Sequence, residues 1–272
     1  MSNRPYTRAF SSLGAVELTL DETFALATRH GLDAVELRGL GGSLDVPAWL
    51  AQTYGDPETF AAHARQSAIR IIGLDTSLRL IGNTPADRDA FLQFIPWAEA
   101  AGIPRLRVFD GGSKAGLTEE HLAQALDTLS WWNALRRDKG WRTDIMTETH
   151  DALTTTPAIL RFLAAAPAAT GILWDTHHTW RIGGENPATT WASIRASVVH
   201  IHVKDSVLIP ADRNPYTYVP PGHGEFPMPA VLDALHRDAY TGPVSLEWER
   251  HWHPKLVPLE DALASAADHR WW

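Results

Sequence analysis

A closed (β/α)8 barrel is the fold that this sequence predicts, and three observations predict it. Short apolar runs alternate with longer amphipathic runs from one end of the chain to the other, with no clear linker between units. Strands that alternate with helices pair in parallel through right-handed crossovers. Eight such units in 272 residues suit a barrel that closes on itself, as one domain over residues 1–272. An open sheet built to bind a dinucleotide would show G-x-G-x-x-G after its first strand, and "SSLGAVEL" lacks it.

Taken in order, "TRAFSSLG" is the first strand. "LDETFALATRHG" follows as a helix, with Leu20, Phe24 and Ala27 on one face and Gly31 as its stop. "LDAVELRG" is the second strand, residues 57–67 the next helix and "IRIIGLDTSL" the third strand. The helix "PADRDAFLQFIPWAEAAG", the strand "RLRVFDGG" and the helix "TEEHLAQALDTLSWWNALRRDKG" complete the first half. In the second half "RTDIMTETH" precedes helix "TPAILRFLAAA", and "TGILWDTHH" precedes helix "PATTWASIRA". "VVHIHVKD" leads into "SVLIPADRNPYTYVPPGHGEFP", a stretch of tyrosines and prolines expected to order over the mouth of the barrel. Helix "MPAVLDALHRDA", strand "GPVSLEWER" and helix "LEDALASAADHRWW" close the chain.

Composition narrows the function. The net charge is −8 and no basic run occurs, which argues against a nucleic-acid partner, because phosphate counterions are displaced by Lys and Arg. There is no cysteine, so thiolate metal sites and thiol nucleophiles are excluded. No signal-like or membrane-spanning apolar stretch is present, which makes a cytoplasmic protein without a membrane partner the expectation. Twelve tryptophans, four of them in the pairs 131–132 and 271–272, suggest buried surface beyond one core and hence a homo-oligomer.

Barrel chemistry gathers where the strands finish. Reading only those ends gives Glu148 in "DIMTETH", Asp175 in "ILWDTHH", His202 in "VHIHVKD" and Glu247 in "VSLEWER". The ends of consecutive strands lie side by side, so the four side chains should converge. Three carboxylates and an imidazole alone in a half-buried mouth would repel and desolvate one another at large cost. One divalent cation removes that cost. Oxygen and nitrogen donors without sulfur suit Mn2+ or Mg2+, with Co2+ or Zn2+ as alternatives. His200 lies one pleat deeper than His202, placed either to hydrogen-bond a ligand carboxylate or to fill the barrel.

The other strand ends are polar as well. Glu36, Arg38, Asp75, Ser77 and Arg107 read either as substrate contacts or as rim ion pairs. Trp174, Trp180, Trp248 and Trp252 flank the predicted donors and would either cover a sugar face or pack between barrel and helices.

A Glu closing strand five, "DTHH" as Asp-x-x-His, "HVKD", "PGHGEF", "GGENP" and "SLEWE" together resemble the xylose-isomerase-like superfamily of TIM barrels, often labelled sugar phosphate isomerases/epimerases. The resemblance implies that Glu148, Asp175, His202 and Glu247 ligate the metal, Mn2+ first, and that Glu148 and Glu247 double as a proton-transfer pair. It implies substrate contacts from His178 and, on the long loop, Arg213, with Lys204 and Asp205 shaping the strand-seven rim of the substrate site. The activity so implied is isomerisation or epimerisation of a sugar or keto-sugar, by proton transfer beside a carbonyl through a metal-stabilised enediolate. A dehydratase or lyase acting on a 3-keto-glycoside or keto-polyol at the same site is the alternative, and a non-catalytic metal-binding barrel is a third.

Overall fold

The computed structural model describes residues 5–211 and 214–272. Eight parallel strands close a barrel: β1 (Thr7–Ser11), β2 (Ala34–Leu37), β3 (Arg70–Ile81), β4 (Arg105–Gly111), β5 (Asp144–Glu148), β6 (Gly171–Asp175), β7 (Val198–Val203) and β10 (Pro243–Leu246). β1 meets β10 to seal the ring, pairing Ala9 with Ser245 and Phe10 with Leu246. The predicted fold is therefore the observed one.

Strand alternation divides the side chains between two cores. Outward positions such as Phe10, Val35, Leu74, Trp174, Ile201 and Leu246 are buried in the main hydrophobic cluster, against the helices. Inside the barrel, Ala9, Ala34 and Ile72 form a small apolar layer. Above that layer the inward positions turn polar: Glu36, Asp75, Arg107, Glu148, Asp175, His200, His202 and Glu247 are all buried. A barrel interior with this much charge is costly unless the charges meet one another.

The helices begin with their own signals. α1 (Leu20–Arg29) carries a capping box, in which the Thr19 side chain accepts from the Glu22 amide and Glu22 returns to Thr19. α6 (Glu119–Lys139) opens on Thr118 and ends at Gly140, whose φ of +68° suits a glycine cap. Two further helices start with proline in the first turn, α7 (Thr156–Ala165) and α8 (Pro187–Ile194). α9 (Met228–Arg237) and α10 (Leu259–Asp268) complete the outer layer.

Three details depart from the sequence reading. The stretch from 85 to 102 is two helices, α4 (Pro85–Leu92) and α5 (Ile95–Ala101), because Pro96 cannot supply the amide needed to run them together. An additional helix, α2 (Val46–Tyr54), precedes α3 (Pro57–Ala64); Asp45 caps it and Pro47 sits in its first turn. The long stretch after β7 is a hairpin of β8 (Asp205–Val207) and β9 (Thr217–Val219), antiparallel with Ser206 opposite Tyr218. No helix among the described residues is long and apolar enough to cross a membrane.

Candidate active site

Register brings the predicted donors together. Asp175 lies opposite His202 across β6 and β7, and His202 lies opposite Ser245, two residues before Glu247. Glu148 closes β5 beside Leu173 of β6. Donor atoms of Glu148, Asp175, His202 and Glu247 all fall within 4.8 Å of one another. His202 Nδ1 is 3.2 Å from Glu247 Oε2 and 3.8 Å from Glu148 Oε1. The four residues are buried, Glu247 being the most exposed at 4%.

This donor set fits a divalent cation. Glu148 Oε2, Asp175 Oδ2 and His202 Nδ1 are buried without a well-formed hydrogen bond, and three converging carboxylates are the hard donors that Mn2+ or Mg2+ takes. The other face of His202 is already organised for such a role. Its Nε2 lies 2.8 Å from Glu36 Oε1, and a carboxylate only accepts, so this nitrogen carries a proton and Nδ1 is the one turned to the cluster. Glu36 also meets His200 Nε2 at 2.9 Å, and His200 Nε2 lies 2.8 Å from the Ser245 hydroxyl. His200 thus meets a carboxylate, but that of Glu36 behind His202 rather than that of a predicted ligand.

Charge in the cluster is shared among cations. Lys204, fully buried, donates to Glu247, lies 2.9 Å from Asp175 Oδ2 and reaches Glu249 Oε1 at 2.8 Å. Arg107 places Nε 3.2 Å from Glu148 Oε2 and 3.9 Å from Asp75 Oδ1, with its guanidinium 3.9 Å over the Phe109 ring. Burial opposes ionisation of Glu247, yet Lys204 and His202 hold its carboxyl well below the usual range. Glu148 is lowered too, as Arg107 and His202 outweigh burial and the nearby Glu247. Asp175 goes the other way, to about 6, because burial outweighs Lys204. Burial, with Glu36 alongside, lifts Asp75 to about 7. His202 resists burial and stays well above an ordinary histidine because Glu36 and Glu247 face it.

The other expected contacts divide. His178 is held through Nδ1, 3.1 Å from the Thr149 carbonyl and 3.2 Å from Asp175 Oδ2, which leaves Nε2 as the nitrogen to offer a substrate oxygen. Lys204 faces the carboxylates rather than an open mouth. Both oxygens of Asp205 are taken by backbone: Gly222, Gly224, Ser206 and Phe226 donate to them at 2.8–3.0 Å. Asp205 is accordingly the residue that folds the "PGHGEF" turn, and a Cβ at Gly224 would sit 2.1 Å from its Oδ1. Arg213 lies outside the described residues.

Of the two readings open to Glu36 and Arg107, the structure places both in ion pairs, buried inside the barrel at the ends of "AVELRG" and "RLRVFDGG", while His150 and Asp110 escaped the sequence reading. Arg38, by contrast, bonds Ser77 at 3.2 Å near the rim. His150 stacks edge-on to His178 at 4.7 Å and is pushed to about 9, since Asp151 and Glu148 overcome the cost of burial. Asp110 accepts from the amides of Gly111, His150, Asp151 and Leu153, and so shapes the loop that presents His150. Trp174 and Trp248 are fully buried and pack, whereas Trp252 is 45% exposed.

A buried ring of carboxylates at the C-terminal end of a closed parallel barrel defines a class of protein, and the comparisons agree. The model of the family described as xylose isomerase-like TIM barrel matches residues 24–272, and the chain belongs to that family. Among solved structures, it is similar to a probable 3-DHS dehydratase, AsbF, involved in petrobactin synthesis, from Bacillus anthracis. That match has 16% identity and a TM-score of 0.75, over 96% of this chain and 98% of that one. It is also similar to the IOLI protein with a binding zinc atom, at 16% identity and a TM-score of 0.76, covering 97% and 96%. A D-tagatose 3-epimerase-like protein matches at 18% identity and a TM-score of 0.69, covering 97% and 96%. No curated protein sequence matches the chain.

Proposed function

We propose that the chain, acting as one domain over residues 1–272 in the cytoplasm, is a divalent-metal-dependent isomerase or epimerase of a sugar or keto-sugar. One observation carries this reading: three carboxylates and one imidazole, from the ends of consecutive barrel strands, place donor atoms within 4.8 Å of one another. Glu148, Asp175, His202 and Glu247 would hold the ion, with Mn2+ favoured by the three oxygen donors. When bound, the ion supplies a Lewis acid that stabilises negative charge on an enediolate oxygen of the substrate.

The protein's own groups do the proton work. Glu148, kept ionised beside Arg107, is a base able to remove a proton next to a carbonyl. Glu247, just beyond β10, takes a proton from the Lys204 ammonium it contacts and delivers it to the substrate, and solvent afterwards removes the proton from Glu148 and restores that of Lys204. Return to the opposite face of the same carbon is epimerisation, and return to the neighbouring carbon is isomerisation. His178 Nε2 steadies a substrate oxygen.

Glu148→Gln and Glu247→Gln test the scheme. In Mn2+-loaded protein in D2O, incorporation of deuterium into a panel of ketoses and keto-sugars should fall by roughly 10²–10⁴-fold in each variant. Undiminished exchange in both would sink the two-glutamate scheme. Loss of water or of an aglycone in product mass would instead place the chain with the dehydratases and lyases, a reading supported by its likeness to the probable 3-DHS dehydratase.

A further inference from the structure

One cation at the mouth of the barrel is left over from the ion pairs of the site. Arg38 lies just beyond β2, two residues after Glu36, and is buried at 6% exposure. Its backbone amide donates to the Ser12 hydroxyl at 2.9 Å, and the Gly39 amide donates to the same oxygen at 3.1 Å, so the end of β2 is held in place. The side chain makes one bond among the described residues, from Nη2 to the Ser77 hydroxyl at 3.2 Å. It joins no ion pair there. The other buried cations of the cluster do: Arg107 meets Glu148 and Asp75, Lys204 meets Asp175, Glu247 and Glu249, and His202 meets Glu36 and Glu247.

The guanidinium nevertheless stands over the reaction centre. Asp75, Glu247 and Glu148 all attract its charge, while burial and the neighbouring Arg107 oppose it and bring it down to about 10. Two of those three carboxylates belong to the donor cluster, so Arg38 looks onto the same space from the β2 side. A buried cation without a partner is costly, and an anion arriving from solvent relieves that cost. The surroundings decide which anion. A phosphate dianion would face Glu148 and Glu247 with one guanidinium and one hydroxyl to hold it. A carboxylate carries a single charge and presents two coplanar oxygens that match the guanidinium fork.

We propose that Arg38 determines the specificity of the site by gripping a carboxylate of the substrate, so that the chain acts on a keto-sugar acid rather than on a neutral keto-sugar. This rests on the isomerase reading and deepens it. The carbonyl and its neighbouring hydroxyl sit at the carboxylate cluster, and the acid group at the far end of the same carbon chain meets Arg38. Ser77 keeps the guanidinium aimed until the acid arrives. A neutral sugar has nothing to offer a buried cation, and it forfeits the charge-assisted hydrogen bonds that the acid makes.

Calorimetric titration of the Mn2+-loaded protein with D-fructuronate against D-fructose, and with D-tagaturonate against D-tagatose, tests the assignment, since each pair differs only in a carboxylate for a terminal hydroxymethyl group. The acid of at least one pair should bind roughly 10–100-fold more tightly than its neutral partner. Arg38→Gln should bring each pair to within about two-fold, and Arg38→Lys, which keeps the charge and loses the fork, should recover part of the difference. Equal affinity within both pairs, no binding of either acid, or a preference that survives Arg38→Gln would overturn the proposal. So would tighter binding of D-fructose 6-phosphate that Arg38→Gln abolishes, because the arginine would then serve a phosphate. Failure of the isomerase reading looks different. An Arg38-dependent preference for acids that exchange no carbon-bound proton in D2O would sink the two-glutamate scheme and leave the anion site standing. Exchange into neutral ketoses, with affinities that Arg38→Gln does not change, would sink the anion site and leave the scheme.

Discussion

The two ends of the barrel are built on opposite plans. At the end where strands finish, Glu36, Asp75, Arg107, Glu148, Asp175, His202, Lys204 and Glu247 crowd together at 0–4% exposure. Where strands begin, a cavity of about 970 Å³ opens among Arg70, Arg105, Arg195 and Tyr240, and its arginines are tied to ordinary neighbours. Arg70 donates to the Thr7 hydroxyl, and Arg195 lies 3.6 Å from Asp238. Volume alone would send a search for the site to the end where strands begin. Buried and incompletely partnered charge, in which functional sites are enriched, gathers at the other end. Each prediction below tests that contrast, beginning with the largest effect.

Lys204→Met should cost the metal-free protein about 3–5 kcal/mol, because it strands Asp175 and Glu247 as buried anions. Urea unfolding in chelator measures the loss. Adding Mn2+ should then restore more stability to the variant than to the wild type, since the metal no longer competes with the ammonium for those oxygens. Equal metal-induced shifts in both proteins would mean that Lys204 and the ion do not share a cradle.

Glu36→Gln comes next. Removing the anion behind His202 loosens its orientation and lowers its basicity as a ligand. Affinity for Co2+ or Mn2+ should fall roughly 10–100-fold, followed by calorimetry or by the visible spectrum of the cobalt form. Unchanged affinity would show that packing alone positions the imidazole.

This pair of predictions also marks what the sequence could and could not reveal. Glu148, Asp175, His202 and Glu247 were legible because each closes an apolar run, and parallel strands in one barrel must bring such ends together. Eight-fold alternation made the barrel itself legible for the same reason. The carboxylate behind His202 was not assignable, because a partner on β2 for a residue on β7 depends on barrel closure and shear, which no local pattern encodes. Asp205 misled for a related reason: its neighbours in "HVKD" are donors to the site, yet its own oxygens fold a turn some twenty residues on. The helix break at Pro96 and the helix at 46–54 were written in proline and capping residues that the apolar period outweighed.

The third prediction concerns pH. His177 is buried against Ser206, Tyr216 and Tyr218, and burial with Lys204 nearby holds it well below an ordinary histidine. A histidine kept neutral in the fold but free to protonate near 6.5 when unfolded favours the unfolded chain in acid. Its contribution is whole above about pH 6.5 and declines as pH drops below that value. The decline is at most about 1.4 kcal/mol per pH unit for this one group. His177→Gln should flatten the fall in urea midpoint between pH 7.5 and 5.5 by up to that slope. An unaltered slope would mean that His177 is not the buried neutral base.

The smallest effect belongs to the base of the barrel, and it is the sharpest check on the contrast. Arg195→Ala removes a half-exposed side chain whose nearest anion is 3.6 Å away and already shared with Arg237. Stability should move by no more than about 0.5 kcal/mol, with Mn2+ affinity and deuterium exchange unaltered. The lower cavity is nevertheless not sealed from the upper site: His200 lines it and also holds Glu36, which in turn holds His202. Were Arg195→Ala to weaken metal binding several-fold without lowering stability, that chain of contacts would be transmitting a signal along the barrel axis. The two ends would then be one functional unit, and the contrast between them would fail.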